Sequence, residues 1–472
     1  MTHRATLFGR GYADAQHDSP RLRFRRALAL GFMTLLVPGS AQLAMGRKWL
    51  GGVALVIWLA VIGAGGALWW RSRRDKAGVI DLITNPDTLM YVRLGLITLA
   101  LCWLFLFLHA WWLAAPRGLT WPRALVVGVI NVAVIAGIAG STAYASQVIG
   151  VSRDVVKTVF KATATSEPLK GRYNILLIGA DSGPERTGIR PDSLTVASID
   201  TETGRTVLVS IPRNLQNVPF PKDSPMHAVY PYGYNCGSVC LINAVHTAAE
   251  NRKDLYPNAE DPGLEATIDA VEGVTDLKIN YYAMINLKGF RSMINAVGGV
   301  EIDVKTRIAM FGHDDAWKNT YIEPGKQRLD GQQSLWYARS RVQSDDYTRM
   351  GRQKCLMSAM LQQLTPTTVV TNALDIAKSG KDLLSTNMPR KELGQFAELA
   401  LKARTEKIRT VSLVPPVVDT INPNFAAIHQ MVAEAIDKSE AEDAAGASAP
   451  SKKPKDPSQR SANNSDDLAA AC

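Results

Sequence analysis

"YNILLIGAD" occupies residues 173–181, and its reading decides the fold. Four consecutive apolar residues, Ile175 to Ile178, followed by Gly179 and Asp181, read as a buried strand that ends in a loop. Working outward, "SLTVASID" (193–200) and "TVLVSIP" (206–212) read as two more strands joined by the turn "TETG" (201–204). Helical periodicity follows around 240–252 and 264–272, then a strand near 280–286. "LKGFRSMINAVGG" (287–299) reads as a short helix closed by Gly298 and Gly299, feeding the strand "VEIDV" (300–304). A further helix-strand-helix runs from about 391 to 437. Strands and helices mixed in this order indicate an α/β or α+β layered sheet.

Upstream the composition changes. Residues 27 to about 150 are apolar with few charges, and three stretches there are long enough to span a bilayer, which takes roughly 20 residues. They are 49–70, 94–115 and 124–145. A fourth stretch, 27–45, is broken by Pro38, Gly39, Ser40 and Gln42 and reads as a re-entrant or interfacial segment. Residues 1–26 form a basic tail, 151–172 a polar linker, 173–437 a globular domain, and 438–472 a Ser-, Pro- and Lys-rich tail read as disordered. Arg21, Arg23, Arg25 and Arg26 place the start of the chain in the cytoplasm by the positive-inside rule. Three crossings put the globular domain outside and four put it inside. Arg71, Arg73, Arg74 and Lys76, in the loop that three crossings place outside, leave the charge count undecided.

The net charge of +10 points to anionic partners without choosing among nucleic acid, lipid and phosphorylated substrate. A sharper signal is "YARSRVQSDDYTRMGRQK" (337–354). With a helix starting near Asp346, that residue, Arg349 and Gln353 share one stripe, Arg352 lies beside it, and the stripe continues as Met357, Met360 and Leu364. The charged end thus faces the same way as the core and lines a cleft. Arg339 and Arg341 alternate in "LWYARSR", which reads as an extended strand end with both on one face. Ordinary helix-surface ion pairs, worth about 0.2–0.5 kcal/mol each, account for two of the six charges. Planar bidentate contacts suit the remaining arginines to phosphate oxygens.

"GADSGPERTGIRPDSLTVASI" places Asp181 just past one strand and Asp192 just before the next, with Arg190 two residues away and Arg213 in "SIPRN". Such carboxylates suit Mg²⁺ shared with substrate phosphates, or simply cap turns. "HDD" (313–315) reads as a polar loop, and His227 and His246 take ordinary loop and helix roles. Cys236 and Cys240 in "NCGSVC" have the spacing of a local disulfide, a reduced pair or half a metal site. Cys355 reads as a buried thiol.

Together, "LLIGAD", "RPDSLTVASID", "VSIPRN", "INYYAMINLKGFRSMINAVGGVEIDV" and "LDGQQSLWYARSRVQSDDYTRMGRQ" closely resemble the LytR-CpsA-Psr family over roughly residues 170–365, with the helical return to about 435. The resemblance implies a layered α-β-α domain with a central mixed sheet and an apolar groove for a prenyl chain. It implies an Mg²⁺-dependent phosphotransferase, Mn²⁺ being the alternative ion, that moves a glycopolymer from a polyprenyl-pyrophosphate carrier to peptidoglycan through a phosphodiester. Asp181 and Asp192 then match the metal-site acids. Arg190, Arg213, Arg339, Arg341, Arg349 and Arg352 match the pyrophosphate-binding arginines, with Asp346 and Gln353 in support. Arg341, Asp192 and Asp346 are the expected catalytic groups, the last two competing as general base. Asn214 departs from the pattern, since many members carry Asp there. Peptidoglycan and the loaded carrier lie outside the membrane, which selects three crossings, membrane lipid as surroundings, and the Cys236–Cys240 disulfide. The rivals are a hydrolase or a polyprenyl-phosphate-binding protein using the same site, and a nucleic-acid-binding regulator, which lacks any helix-turn-helix pattern here.

Overall fold

The structure is a computed structural model that describes residues 19–114, 119–160, 164–181, 190–311, 320–342, 344–363, 384–444 and 468. The chain divides into two compact units, Met1–Arg153 and Asp154–Cys472.

The first unit is helical. Helix α1 (Pro20–Leu36) is capped by Ser19, whose side chain accepts from the Leu22 N–H. It is followed by a break and a short helical turn, Ser40–Ala44. The break that Pro38 and Gly39 imply is present: Gly39 takes φ +93°, and a Cβ there would lie 2.5 Å from the Gly51 carbonyl oxygen. A Cβ on Gly51 would in turn lie 2.7 Å from the Gly39 carbonyl oxygen, so the hairpin closes only because neither residue has a side chain. Helices α2 (Lys48–Arg74), α3 (Pro86–Leu113) and α4 (Trp121–Val159) are each long and apolar enough to cross a membrane. α3 starts at an Asn85 cap with Pro86 in the first helical position, the place where proline's missing N–H costs nothing.

The second unit is built on a mixed six-stranded sheet. Its strands are β1 (Arg172–Asp181), β2 (Arg190–Asp200), β3 (Thr206–Ile211), β4 (Tyr281–Asn286), β7 (Leu384–Thr386) and β8 (Arg409–Ser412), in the order β8-β3-β2-β1-β4-β7. β1 pairs antiparallel with β2 and parallel with β4, while β3 pairs parallel with β8. Alternation along the strands feeds two cores. Leu176, Ile178, Val196, Val207 and Val209 face a large core that takes in α5 (Pro262–Thr275) and α10 (Phe425–Ala444). Tyr173, Ile175, Ala197 and Leu208 face the other side, where Phe396 and Leu399 of α9 (Leu393–Ala403) and Met357 and Leu361 of α8 (Asp346–Gln363) cover them. Each fully buried valine or leucine contributes roughly 1.5–3 kcal/mol. Helices on both faces of the sheet make the layered α-β-α architecture that the family resemblance implied.

A satellite core joins α6 (Leu287–Ala296), β5 (Val300–Val304), β6 (Gly325–Leu329), α7 (Gly331–Arg339) and the second half of α8. Here the sequence reading needs correction. "LWYAR" is the end of a helix and not of a strand. Asp330 accepts from the Gln333 N–H while the Gln333 side chain accepts from the Asp330 N–H, a reciprocal cap that starts α7.

Two further differences lie near the end of the chain. α10 continues to Ala444, past the residue 437 at which the sequence reading ended the domain. Leu468, inside the segment read as disordered, is buried against Ala197, Leu208 and Ile408, and its N–H donates to the Ile408 carbonyl at 2.9 Å. Average composition cannot register a single docked leucine. The "HDD" triplet at 313–315 lies outside the described residues.

Candidate functional site

The site forms where β2, the end of β3 and the start of α8 meet. In the β1–β2 ladder Gly179 pairs with Ser193 and Ala180 with Pro191, so Asp192 is an extra residue at a bulge. A bulge bends its strand and re-aims a side chain. The Asp192 carboxylate consequently accepts from Arg213 Nη1 at 2.7 Å. Arg213, just past β3, also donates through Nε to Asp346 Oδ1 at 3.1 Å. Arg349, one turn along α8, donates Nε to Asp346 Oδ1 (3.1 Å) and Nη2 to Asp346 Oδ2 (3.0 Å), and its Nη1 reaches the Asp192 carbonyl at 3.0 Å. Asp346 therefore holds two guanidinium groups. The shared stripe of Asp346 and Arg349 expected from the helical wheel is present, with Arg349 buried.

The electrostatics follow from this lattice. Burial would raise the Asp346 carboxyl, but the Arg349 bonds and the charges of Arg349, Arg213 and Arg341 outweigh it and hold it below the usual carboxylate range. Burial opposes the charge on Arg213, yet the bond and charge of Asp192, with Asp346 behind them, carry its pKa above the ordinary guanidinium value. Arg341 is different. It is exposed, and while its carbonyl accepts from the Ser344 N–H at 3.2 Å, its guanidinium makes no hydrogen bond or ion pair among the described residues. Partial burial, then repulsion by Arg213 and Arg349, lower its pKa, with Asp346 and Asp192 only partly offsetting them.

The other residues named from sequence divide into pairs and supports. Arg339, at the end of α7, lies 3.5 Å from Asp181 Oδ2, and its guanidinium sits 5.6 Å from the centre of the Trp336 ring. Asp181 is buried and stands opposite Arg190 in the β1–β2 register, while Arg190 is exposed. Arg352 donates to the Ser340 carbonyl and to Ser344 Oγ (3.2 Å), so it clamps the loop that carries Arg341. Gln353 accepts from Ser193 Oγ (3.4 Å) and donates to the Ala338 carbonyl (3.1 Å), tying α8 to both β2 and α7.

Sequence reasoning missed Tyr347 and Thr420. Asn214 Nδ2 donates to Tyr347 Oη at 3.4 Å, and that hydroxyl lies 3.1 Å from Thr420 Oγ1. The position where Asn214 departs from the family pattern is thus tied to a tyrosine. His246 sits 3.4 Å from Asp261 and away from the arginine cluster's hydrogen bonds. Cys236 and Cys240 form a disulfide with a Cα–Cα separation of 5.3 Å. Cys355, expected as a buried thiol, is buried and disulfide-bonded, a pairing that helical periodicity cannot show.

Behind the cluster is a cavity of about 20 Å³, room for roughly one water. Asp192, Thr195, Ser210, Arg349, Gln353 and Lys354 line it. Lys354 is buried, donates to Thr410 Oγ1 at 3.1 Å, and is pushed down to about 8 by burial.

The layered domain thus presents an exposed guanidinium, Arg341, beside two that carboxylates brace, Arg213 and Arg349. The LytR_cpsA_psr family model matches residues 144–444, well over half of the chain, and the protein belongs to that family. It is 26% identical over 247 residues to the polyisoprenyl-teichoic acid–peptidoglycan teichoic acid transferase TagV of Bacillus subtilis (strain 168), covering 52% of this chain and 57% of that protein. It is 26% identical over 236 residues to the transferase TagU of Enterococcus faecalis (strain ATCC 700802 / V583), covering 48% of this chain and 65% of that one. The matched part thus spans about three fifths of the length of these curated relatives. The crystal structure of B. subtilis TagV superposes with a TM-score of 0.41 at 23% identity, covering 57% of this chain and 98% of that one, a likeness that adds no argument.

Proposed function

We propose that the globular unit transfers a glycopolymer from a polyprenyl-pyrophosphate carrier to a peptidoglycan hydroxyl, leaving a phosphodiester link, with that unit outside the membrane. The observation that carries this reading is Arg341, exposed and without an ion pair among the described residues, beside Arg213 and Arg349, whose carboxylate partners are already engaged. Holding a third guanidinium there against repulsion has a purpose if an anion completes the site.

In the proposed step the acceptor hydroxyl oxygen attacks the glycan-side phosphorus and forms the new P–O bond. The bond from that phosphorus to the bridging oxygen breaks, and its electron pair leaves on the polyprenyl phosphate. Arg341 and Arg213 meet the charge that develops on the leaving oxygen, an effect worth about 10²–10³ in rate for one well-placed donor. The hydroxyl proton goes to Asp192. Asp346 is poorly suited to take it, because Arg213 and Arg349 bond both of its carboxylate oxygens, whereas Arg213 meets only one oxygen of Asp192. Asp346 and Arg349 instead fix the geometry of Arg213, while in this reading Arg339 and Arg190 take the outer phosphate oxygens.

Among the described residues no group of three or more His, Cys, Asp or Glu could hold a metal by itself. Asp181 and Asp192 on adjoining strands fit Mg²⁺, which takes one or two carboxylates and completes its shell from phosphates and water. Mn²⁺ has the same donor preference. Bound there, the ion would offset charge on the pyrophosphate oxygens.

The test is turnover by the purified full chain with a polyprenyl-pyrophosphate glycan and peptidoglycan, with and without Mg²⁺, for wild type and Arg341→Ala. Acceptor-linked glycan that requires both the ion and Arg341 supports the reading. Released phosphoglycan without linkage replaces it with a hydrolase, and tight lipid binding without turnover replaces it with a carrier-binding protein.

A further inference from the structure

Arg23, Ala27, Gly31 and Leu35 are spaced four apart on α1, so each lies one turn on and about 40° round from the one before, in a slow spiral along the helix. The last three of them line a groove of ≈450 Å³ in the helical unit, whose other walls include Phe107 of α3 and Val127 and Ile130 of α4. Its lining is hydrocarbon except for Asn131, whose Nδ2 already donates to the Val127 carbonyl at 2.8 Å. The groove therefore selects an apolar chain and offers little to a polar ligand.

The head of the same spiral is cationic. Arg23 is partly buried, and its Nε is shielded from solvent with no hydrogen-bond partner among the described residues. Helix α1 contains no Asp or Glu to neutralise it, while Arg21 and Arg25 add exposed positive charge in the same turn. Side chains on a helix tilt toward its N-terminus, so the Arg23 guanidinium extends beyond the apolar lining and not across it. From Arg23 to Leu35 the helix axis runs about 18 Å.

We propose that α1, α3 and α4 form a site for one lipid with a phosphate-bearing anionic head, its chain lying along Ala27, Gly31 and Leu35 and its phosphate oxygens on Arg23. An arginine that merely reached toward bulk headgroups would need no groove beneath it and would favour no particular stoichiometry. Charge at one end and a hydrocarbon channel continuing the same spiral match an amphiphile of this class. The extra membrane helices then have a binding task besides anchoring.

The experiment is native mass spectrometry of the full-length chain in detergent, in an Arg341→Ala background that weakens the arginine site of the globular unit. Undecaprenyl phosphate is the probe, with phosphatidylcholine and inorganic phosphate as comparators. One undecaprenyl phosphate per chain is expected, weakened at least tenfold by Arg23→Gln and by the groove-filling Gly31→Leu. A Cβ at Gly31 meets only Phe107, at 3.8 Å, so this variant is expected to fold, and size-exclusion and thermal melting check that it does. Leu35→Trp is the second groove-filling variant. The proposal is overturned if phosphatidylcholine is retained equally, if lipid binding ignores both Arg23 and the groove substitutions, or if inorganic phosphate binds as tightly as the lipid.

Discussion

Arg213 and Asp346, 133 residues apart in the chain, are joined by a hydrogen bond of 3.1 Å between Nε and Oδ1. That bond fastens the end of β3 to the first turn of α8, and the same carboxylate also holds Arg349 in place. The site is thus locked from both sides by one acid, and its behaviour can be anticipated residue by residue.

Asp346→Asn removes the charge that two guanidinium groups face. Breaking a largely buried pair leaves cations uncompensated, so a loss of about 3 kcal/mol in denaturant unfolding is expected. The pH dependence has a defined sign. The folded carboxyl titrates below the unfolded value near 3.9, so its stabilisation is fully present above roughly pH 5 and is lost as pH falls through the folded pKa. The gap between wild type and variant should narrow on acidification below about pH 4. A gap that stays constant down to pH 2 would sink the assignment.

Arg341 makes the opposite case. Arg213 and Arg349 repel it, so Arg341→Ala is expected to melt at or slightly above the wild-type temperature while losing roughly 10²-fold or more in turnover. Arg341→Lys keeps the charge without the planar fork and should recover only part of the rate. An alanine variant that retained full turnover would remove Arg341 from the mechanism.

Gly331 opens α7, the helix that ends at Arg339. A Cβ on it would lie 2.1 Å from the Arg291 carbonyl oxygen, a backbone atom that cannot swing away. Gly331→Ala is expected to cost about 3 kcal/mol, the upper end of ordinary overpacking, and to weaken the Arg339–Asp181 contact with it. Thermal melts of the purified variant check the first effect, and wild-type stability would show that the α6–α7 junction is looser than described.

The Cys236–Cys240 disulfide closes a short loop. On the chain-entropy account such a loop contributes roughly 2 kcal/mol, so replacing both cysteines by serine should lower stability by about that amount without abolishing the fold. Reductant should lower the wild type toward the variant and leave the variant unchanged in this loop's contribution.

Most of the sheet was legible because alternating or continuous apolar runs name strands whatever surrounds them. The stripe of Asp346 and Arg349 was legible from helical spacing, which sets residues three apart on one face. Arg339 was misplaced on a strand because "LWYAR" satisfies both periods over so short a run. The cap formed by Asp330 and Gln333 in "DGQQ" was the overlooked signal, and it starts five residues upstream of the ambiguous run at Leu335. The Asn214–Tyr347–Thr420 contacts were out of reach. They join three segments distant in sequence, and nothing local to any of them announces the other two.

The bulge at Asp192 has a consequence for how this domain can change over generations. Gly179–Ser193 and Ala180–Pro191 are paired on either side of it, so deleting Asp192 would let the β1–β2 ladder run without interruption. The sheet does not need this residue to close. Loss of a single codon would therefore delete the carboxylate proposed to take the proton while leaving the surrounding strands a continuous path, which separates the heritable record of the fold from that of the chemistry and lets a lineage trade turnover for binding in one step.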